Sequence, residues 1–500
     1  MTPAEQQSLL AYLKIQKIPY SHSTPRSFTS SINQNDHDLV VALNDPNQLT
    51  DLIKHINTIN PSLSVTAIGG GRDDTNNSYS LNNLWKDTDI FIQLAYQPSL
   101  TLLPKENNNA EQLFRVSPNM MLVELNQALY DRGYHCPHLY GVLPFMSLAG
   151  GLSTNSHTTF GFLADIVEGI ELLLPNGEKK YFKKDSEDFN VNCVTASLGL
   201  LGIITAIDIK VLTGKKKLKR VHSLLTYENL VNKIQGTEKD GAHLNSLSVI
   251  FSPIKLQANT STKLTTWSWV DEATPDQGNP EPQIADDSIS VTCCAPFFAI
   301  FRPTFLYCFF QSAAVTKQET QIARPDAIMG PESKIAGNIT AIELLFDYDK
   351  TKIKDFFMYL LSILSNARKT GDFPVNTAVF IRFPQQSAGN HQVAIDFISF
   401  GLHLTKIEPL VNELIDYLNN QSIPAHVHYG KNNAISINSR YATSENSWQK
   451  LKMKYQQFYE RHGLNSDVLR KKIAGLESPD QPKAVQVTQA VSDDYQRLRM

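Results

Sequence analysis

Residues 64–74 read SVTAIGGGRDD, in which a short β-forming run ends in three consecutive glycines and an arginine. Glycine lets the backbone take unusual dihedral angles and approach a ligand closely, and successive backbone N–H groups form concave anion sites. The stretch differs from GxGxxG and lacks a Walker lysine, so the usual dinucleotide and nucleotide loops do not fit. It predicts a phosphate loop in which Arg72 neutralises the anion, provided that Asp73 and Asp74 point away; a plain tight turn is the alternative.

A second glycine-containing stretch, SLAGGLSTNSH, occupies residues 147–157. Gly150 and Gly151 permit close packing against a flat ligand. The hydroxyl groups of Ser153 and Thr154 can donate hydrogen bonds to phosphate oxygens or ring carbonyls. The single histidine of the stretch, taken alone, is more typical of a structural, hydrogen-bonded residue.

A third stretch, HVHYGK, occupies residues 426–431. On a strand His426 and His428 point the same way, as a metal-binding pair does. No matching carboxylate or third histidine stands nearby in the sequence, so no metal site is expected. For Lys431, a catalytic and a merely exposed position both remain open.

The composition is that of an ordinary globular protein, with 500 residues of which 42% are hydrophobic and 19% charged. The length predicts two domains or one large composite. The formal net charge of −3 argues against a general nucleic-acid partner. Five cysteines without a CxxC pair argue against a disulfide framework and a structural zinc site. No signal peptide is recognised, so a cytoplasmic location is expected.

Residues 291–310 read VTCCAPFFAIFRPTFLYCFF and are long enough to consider as a membrane span. Arg302 lies inside the segment, and Pro296 and Pro303 disfavour a continuous helix. The segment is therefore interpreted as buried or substrate-facing, with peripheral contact to a membrane surface and a true span as the alternatives.

The order of predicted elements divides the chain. Residues 38–80 predict a strand, a helix and a strand that ends in the glycine loop. Residues 121–135 have helical spacing, and residues 166–182 predict a hairpin with a Pro-Asn-Gly turn. A compact unit ends near residue 212. Beyond it, β-like runs, a polar insertion and one strong helix at 352–367 predict a separate α+β domain.

The motifs also occur in a characteristic order: GGGRDD, SLAGGLSTNSH, Gly161 with Asp165, ELLLPNGE and SLGLLGIIT. This ordered set resembles the FAD-binding domain of the vanillyl-alcohol oxidase superfamily, also called the PCMH-type flavin fold. The resemblance implies an α+β protein in which a two-subdomain PCMH-type FAD-binding domain spans 26–214, an α+β substrate (cap) domain spans 215–415, and a C-terminal segment at 416–500 returns to the flavin site.

The resemblance also implies which residues bind FAD. In the family, a loop of the form GxGHS binds the pyrophosphate, a GGxxSTGTHG-like segment packs on the flavin, and a GLGIIT segment contacts the adenine side. Carried over to this chain, the cofactor-binding residues are Gly69, Gly70, Gly71, Arg72, Asp73, Ser147, Gly150, Gly151, Ser153, Thr154, His157, Gly161 and Ile203.

One departure from the family concerns the cofactor link. The histidine of GxGHS that bonds covalently to the flavin falls at Arg72 in this chain. A guanidinium group cannot form the histidyl bond, so the resemblance implies non-covalent FAD. The epimerase-type oxidases of lipid-linked ribose likewise carry arginine after the glycine loop and bind FAD non-covalently.

A second departure concerns the substrate. HYGK at 428–431 resembles the HWGK or HWAK motif of the aldonolactone and alditol oxidase branch, which also has a Glu-x-Arg pair that handles the substrate hydroxyl. The best match here is 380–382, where Arg382 is present but Phe380 replaces the glutamate. Together with the aromatic residues of 291–310, this replacement points towards an apolar alcohol, sterol-like or lipid-linked, and away from a sugar.

The implied function is oxidation of an alcohol or lactone-type small molecule by hydride transfer to N5 of FAD. Lys431 and His428 are the candidate bases for the hydroxyl proton, and Arg382 is expected to hold the developing negative oxygen. The electron acceptor, oxygen or another molecule, stays open, with Ala149 as a candidate oxygen gate. The alternatives are an oxidoreductase of a sterol- or lipid-like alcohol and a flavin-binding protein without substrate turnover.

Overall fold

The architecture is known from a computed structural model. It describes the following residues: 1–22, 26–27, 39–69, 77–78, 88–104, 111–139, 146–185, 189, 191–236, 244–251, 261–278, 319–328, 339–369, 374–375, 378–385, 390–400, 404–431, 434–441 and 448–477.

The helices within these residues are short to medium in length. They are α1 Pro3–Ile15, α2 Gln48–Ile59, α3 Leu122–Asp131, α4 Leu148–Ser153, α5 Val191–Val194, α6 Tyr227–Gly236, α7 Pro325–Ile328, α8 Ile353–Lys369, α9 Leu404–Asn420, α10 Ala434–Arg440, α11 Trp448–Arg461 and α12 Ser466–Glu477, with 3-10 turns at Leu163–Ile166 and Leu244–Ser246.

The strands cluster in two parts of the chain. They are β1 Tyr20–His22, β2 Arg26–Ser27, β3 Leu39–Leu43, β4 Val65–Ile68, β5 Asn77–Ser78, β6 Ile90–Leu94, β7 Leu100–Leu102, β8 Glu111–Val116, β9 Tyr134–His135, β10 Val167–Leu173, β11 Lys179–Lys183, β12 Ile203–Thr213, β13 Lys216–Thr226, β14 Leu247–Phe251, β15 Ser261–Asp271, β16 Glu319–Ala323, β17 Ile339–Asp347, β18 Ala378–Arg382, β19 Gln392–Phe400 and β20 Ala425–Val427.

A small, mostly parallel sheet carries the first glycine stretch. Among the described residues its order is β1-β3-β6-β4, with β3 and β4 both parallel to β6. The neighbouring strands are rich in Val, Ile and Leu, as in sheets that are covered on both faces. One cover is α2, whose buried Leu49, Leu52, Ile53 and Ile56 recur at helical spacing. The predicted strand–helix–strand order is confirmed, and it places Gly69 at the end of β4.

An antiparallel sheet follows, ordered β11-β10-β12-β8-β7 with β9 paired to β12 in the described part of the chain. Strands β10 and β11 form the hairpin that the sequence predicts. Its turn contains Gly177 at φ 84°, a left-handed conformation that favours glycine. The predicted helix at 121–135 is present as α3 over Leu122–Asp131, but Tyr134–His135 form β9 instead, after Gly133 at φ 89°.

A third sheet is built from the later residues, in the described order β16-β13-β15-β14-β18-β19-β17-β20. Its pairings are antiparallel. Helix α8, predicted from the sequence at 352–367, and helix α9 bury apolar side chains such as Phe356, Leu360 and Leu414. This second sheet-and-helix unit confirms the predicted α+β fold class.

The last helices return to the earlier part of the chain. Tyr455 and Tyr459 of α11 bond to backbone carbonyls at 196 and 200, and Lys472 of α12 bonds to the backbone of β4. Within the described residues, no helix combines the length and apolar character needed to cross a membrane. Segment 291–310 lies outside those residues.

Candidate active site

The two glycine stretches meet in the fold. A Cβ built on Gly69 lies 3.4 Å from the hydroxyl oxygen of Ser147, and a Cβ on Gly150 lies 2.9 Å from the same oxygen. Ser147 begins α4, and its hydroxyl accepts a hydrogen bond from the Gly150 N–H at 3.2 Å. The end of β4 and the start of α4 therefore form one surface from residues about eighty positions apart.

The late HYGK stretch, which follows β20 of the third sheet, reaches the same surface. A Cβ on Gly430 approaches the Thr154 Cβ to 3.2 Å and the His428 ring to 2.8 Å, so glycine permits the close approach. His428 Nε2 donates to the backbone carbonyl of Asn155 at 3.1 Å. The structure thus brings the second and third stretches together.

Between them lies a buried cluster of charged and imidazole side chains, which we call the carboxylate cluster. Glu343 is its centre, 2% exposed. Its Oε1 accepts a hydrogen bond from His157 Nε2 at 3.0 Å and lies 3.5 Å from the Arg382 guanidinium. The members of the cluster are His157, Glu343, Arg382, Asp396, His428 and Lys431.

The register of the third sheet explains why these residues meet. Glu343 on β17 is opposite Asp396 on β19, and Asp396 is in turn opposite Phe380 on β18. Directly opposed residues point to the same face of a sheet. Arg382 lies two residues beyond Phe380 and shares that face. The resemblance predicts a glutamate at Phe380 on β18. The structure has carboxylates in the same row of the sheet, but on β19 and β17.

The two cations contact both carboxylates. Lys431 Nζ lies 2.6 Å from Asp396 Oδ2 and 3.8 Å from Glu343 Oε2. The Arg382 guanidinium lies 3.7 Å from Asp396 Oδ2. Two buried carboxylates are thus matched by two cations, which is the arrangement that makes buried charge tolerable.

The carboxylates differ in how readily they take a proton. Burial raises the pKa of Glu343, but His157, Lys431 and Arg382 together hold it well below its usual range. Burial and the charge of Glu343 raise the pKa of Asp396 in spite of Lys431. Glu343 is therefore the permanently ionised member, and Asp396 is the better proton acceptor.

One acceptor and one donor in the cluster have no partner. Among the described residues, Asp396 Oδ1 and Arg382 Nε are buried without a hydrogen bond. A buried polar atom without a partner is costly, and such atoms in native sites mark the place of a ligand or a catalytic role. An acceptor beside a donor suits a group that both donates and accepts, as a hydroxyl does.

His428 has both ring nitrogens in use. Nε2 donates to the Asn155 carbonyl, and Nδ1 accepts from the Gly430 N–H at 3.1 Å. These two bonds fix the neutral tautomer with the proton on Nε2. Burial lowers the pKa of His428 to about 3 in spite of the nearby Glu343 carboxylate.

The other residues expected to bind a cofactor differ in which parts of the fold they contact. Thr154 Oγ1 bonds to the Gly150 carbonyl, and the Ser153 carbonyl accepts from the Leu198 N–H. Gly151 packs on Leu163. A Cβ built on Gly161 lies 3.1 Å from the Gln385 carbonyl oxygen, just after β18 of the third sheet. Ile203 is buried at the start of β12. Gly70, Gly71, Arg72 and Asp73 lie outside the described residues.

Sequence reasoning missed Glu343 and Asp396. Each is a single carboxylate inside an otherwise apolar β-forming run, TAIELLF and VAIDFISF. A charged residue rarely occupies a buried strand unless it is paired. This interruption of the apolar pattern is the signal that identifies both residues.

Comparison with known proteins places the fold. No protein-family model and no curated protein matches the chain. The crystal structure of cholesterol oxidase from B. sterolicum matches with a TM-score of 0.68 at 11% identity, over 91% of this chain and 98% of that one. A histidine-to-alanine variant of the Brevibacterium sterolicum enzyme gives 0.69 at 10%, over 92% and 98%. A solvent-stable cholesterol oxidase gives 0.68 at 12%, over 92% and 99%.

These matches extend over nearly the whole length of both chains. At 10–12% identity they establish the architecture alone. They do not bear on the resemblance to aldonolactone and alditol oxidases, which stays a prediction. The chain therefore has the fold of the cholesterol oxidases.

Proposed function

We propose that the chain is an FAD-dependent oxidoreductase that oxidises an alcohol. One observation carries the reaction type: among the described residues, Asp396 Oδ1 is an unpartnered acceptor and Arg382 Nε an unpartnered donor within one cluster of two carboxylates and two cations. The fold shared with cholesterol oxidases supports the cofactor and the reaction class. Function is argued from the site, because one fold hosts many activities.

The glycine stretches fit an FAD cofactor. A Cβ added to Gly150 would crowd the Ser147 hydroxyl at 2.9 Å, and one added to Gly69 would be in contact with it at 3.4 Å. Gly150 itself is exposed, so its bare backbone is available to a flat ligand. We assign Gly69, Gly150 and the Ser153–Thr154 pair to cofactor binding, held non-covalently because Arg72 replaces the linking histidine. Bound FAD supplies the hydride acceptor.

The substrate hydroxyl binds the unpartnered atoms of the carboxylate cluster in this proposal. Its O–H donates to Asp396 Oδ1, and its oxygen accepts from Arg382 Nε–H. Asp396 takes the proton as the carbinol C–H is oxidised, and its raised pKa suits that task. Arg382 holds the negative charge that develops on the oxygen.

Lys431 and His428 take supporting roles. Lys431 holds Asp396 Oδ2 at 2.6 Å and leaves Oδ1 for the substrate. His428 fixes the turn that carries Lys431, since its ring bonds to Asn155 and Gly430. With both ring nitrogens occupied by backbone groups, His428 is less suited than Asp396 to accept a proton from substrate.

An apolar alcohol is the proposed substrate class. Phe380 lies in the same row of the sheet as Asp396, where a polyol-handling enzyme is expected to place glutamate. An aromatic side chain favours a substrate whose carbon skeleton is apolar. The three matching structures described above are named for a sterol, which supports a sterol-like alcohol.

The test begins with the cofactor. The purified protein is supplied with FAD, desalted, and its visible spectrum is taken before and after acid precipitation. We expect yellow protein whose colour moves into the supernatant. Protein that stays colourless with added FAD contradicts the proposal, and colour retained in the pellet contradicts non-covalent binding.

The substrate class is then tested by anaerobic reduction of the bound flavin. We expect bleaching near 450 nm with 3-hydroxysterols or long-chain alcohols, and none with alditols or aldonolactones. Bleaching by the sugars alone overturns the apolar assignment. Bound flavin that no alcohol or lactone reduces supports the flavin-binding protein without turnover.

A further inference from the structure

Two tyrosines of α11 bond to a turn beside the second glycine stretch. Tyr455 Oη donates to the Ala196 carbonyl, and Tyr459 Oη donates to the Leu200 carbonyl, each at 2.8 Å. Both side chains are buried, at 3% and 0% exposure. These hydroxyls reach across about 259 residues of sequence, so they join the C-terminal part of the chain to the first domain.

The turn that they hold has an unfavourable backbone. Ala196 has φ 63° and Leu198 has φ 55°, left-handed values that residues with a Cβ rarely adopt. The same turn closes the end of α4, since the Ala196 N–H donates to the Leu152 carbonyl and the Leu198 N–H to the Ser153 carbonyl, each at 2.9 Å. Such a conformation persists only where surrounding contacts hold it.

Helix α12 holds the strand that leads to the first glycine stretch. Lys472 is buried, and its Nζ donates to the Val65 carbonyl of β4 at 2.6 Å. Lys471 forms an ion pair with Asp89 at 2.6 Å, immediately before β6. Among the described residues β4 is the outer strand of its sheet, so Lys472 bonds a carbonyl on the strand that leads to Gly69.

We propose that α11 and α12 form a C-terminal clamp that sets the spacing of the two glycine stretches, with Tyr455, Tyr459 and Lys472 as positioning residues for FAD. The inference rests on the proposed function and extends it. The Tyr455 and Tyr459 hydroxyls and the Lys472 ammonium bond to backbone carbonyls outside the carboxylate cluster, so their removal is expected to change cofactor affinity before it changes the chemistry of oxidation.

The test compares two kinds of Tyr→Phe change. Tyr455→Phe with Tyr459→Phe removes both hydroxyls and keeps the rings. The control, Tyr227→Phe, removes a buried hydroxyl that donates to the Phe357 carbonyl at 3.0 Å in the third sheet's domain. FAD affinity of each apoprotein is titrated by quenching of flavin fluorescence, and thermal unfolding is recorded in parallel.

We expect the double variant to bind FAD roughly tenfold or more weakly, since each hydroxyl contributes about one hydrogen bond to the arrangement of the site. The control loses thermal stability but keeps the wild-type Kd. Equal weakening in the control, or an unchanged Kd in the double variant, overturns the clamp and leaves the proposed function standing. Wild-type protein that does not bind FAD removes the proposed function, and the clamp with it.

A second pair of variants, both Lys→Met, tests the clamp if the double Tyr→Phe variant does not fold. Lys472→Met keeps the length of the side chain but removes the donor to Val65. Its control is Lys217→Met, which removes a donor to the Thr274 carbonyl at 2.9 Å, far from α11 and α12 in the sequence. Weaker FAD binding in Lys472→Met alone supports the clamp, and equal Kd values in the two variants contradict it.

Discussion

Glu343 and Asp396 lie directly opposite each other on antiparallel strands, and both carboxylates are buried. Like charges in this position destabilise a sheet. Lys431 and Arg382 offset the repulsion because each contacts both carboxylates. The two carboxylates differ: Glu343 stays ionised and contacts both cations, whereas Asp396 has the raised pKa and the oxygen without a partner.

Replacing Glu343 by glutamine is expected to destabilise the protein strongly. The change leaves Lys431 and Arg382 buried with one carboxylate between them, and breaking a buried ion pair costs about 3–5 kcal/mol. Urea unfolding measures the loss. Glu408→Gln, which removes an ion pair to the exposed Arg440, serves as the control and is expected to cost less than about 1 kcal/mol. Equal losses in the two variants contradict the central role of Glu343.

Asp396→Asn is expected to keep FAD and lose substrate-driven reduction. An amide at this position cannot take the hydroxyl proton, and loss of a general base lowers a rate by about 10²–10⁴-fold. Stopped-flow reduction measures the rate, and fluorescence titration measures the FAD affinity. The control is Asp347→Asn, at the exposed end of β17. A reduction rate within twofold of wild type removes Asp396 from the mechanism.

Lys431→Met is expected to move the pH profile of reduction to higher pH. The reaction needs ionised Asp396, so the rate falls as the pH drops through the pKa of that group, which is already raised. Removing the cation at 2.6 Å raises the pKa of Asp396 further, by about 1–3 units. The acid limb of the profile reports the shift, with exposed Lys354→Met as the control. An acid limb that stays in place or moves down refutes the pairing.

Acidification below pH 6.5 is expected to destabilise the fold through His428. Its pKa is about 3 in the folded protein, against about 6.5 when unfolded, so the unfolded chain binds the extra proton in that interval. The free energy of unfolding therefore decreases as the pH decreases. His428 alone lowers it by about 2 kcal/mol between pH 7 and pH 5. Urea unfolding of wild type and His428→Asn at both pH values measures it. An identical pH dependence in the two proteins contradicts a buried, neutral histidine.

The local elements were predictable from the sequence, and so was part of the site. Periodicity and turn residues identified β3, α2, β4 and the hairpin around Gly177. The resemblance selected Arg382, His428 and Lys431, which the structure brings together. Their roles stay predictions, because no measurement of binding or turnover bears on them.

Glu343 and Asp396 were not predictable, for a physical reason. Their meeting depends on the strand order and register of the third sheet, where β17 pairs with β19 and β20, strands from later in the chain. A periodic pattern predicts that a strand exists but not which strand lies beside it. The resemblance also predicts the glutamate on β18, two residues before Arg382, whereas the carboxylates lie on β17 and β19.

The pairing of β13 with β16 and of β14 with β18 has a consequence for how the protein is made. These partners are separated by roughly a hundred residues or more, so the third sheet has a high contact order and closes slowly. In the described part of the chain, the strands of the first two sheets lie before residue 214. Synthesis proceeds from the N-terminus, so the strands that lead to the glycine stretches emerge well before the carboxylates. An unfinished chain then has both glycine stretches but lacks the residues for oxidation and the helices α11 and α12 that hold the stretches.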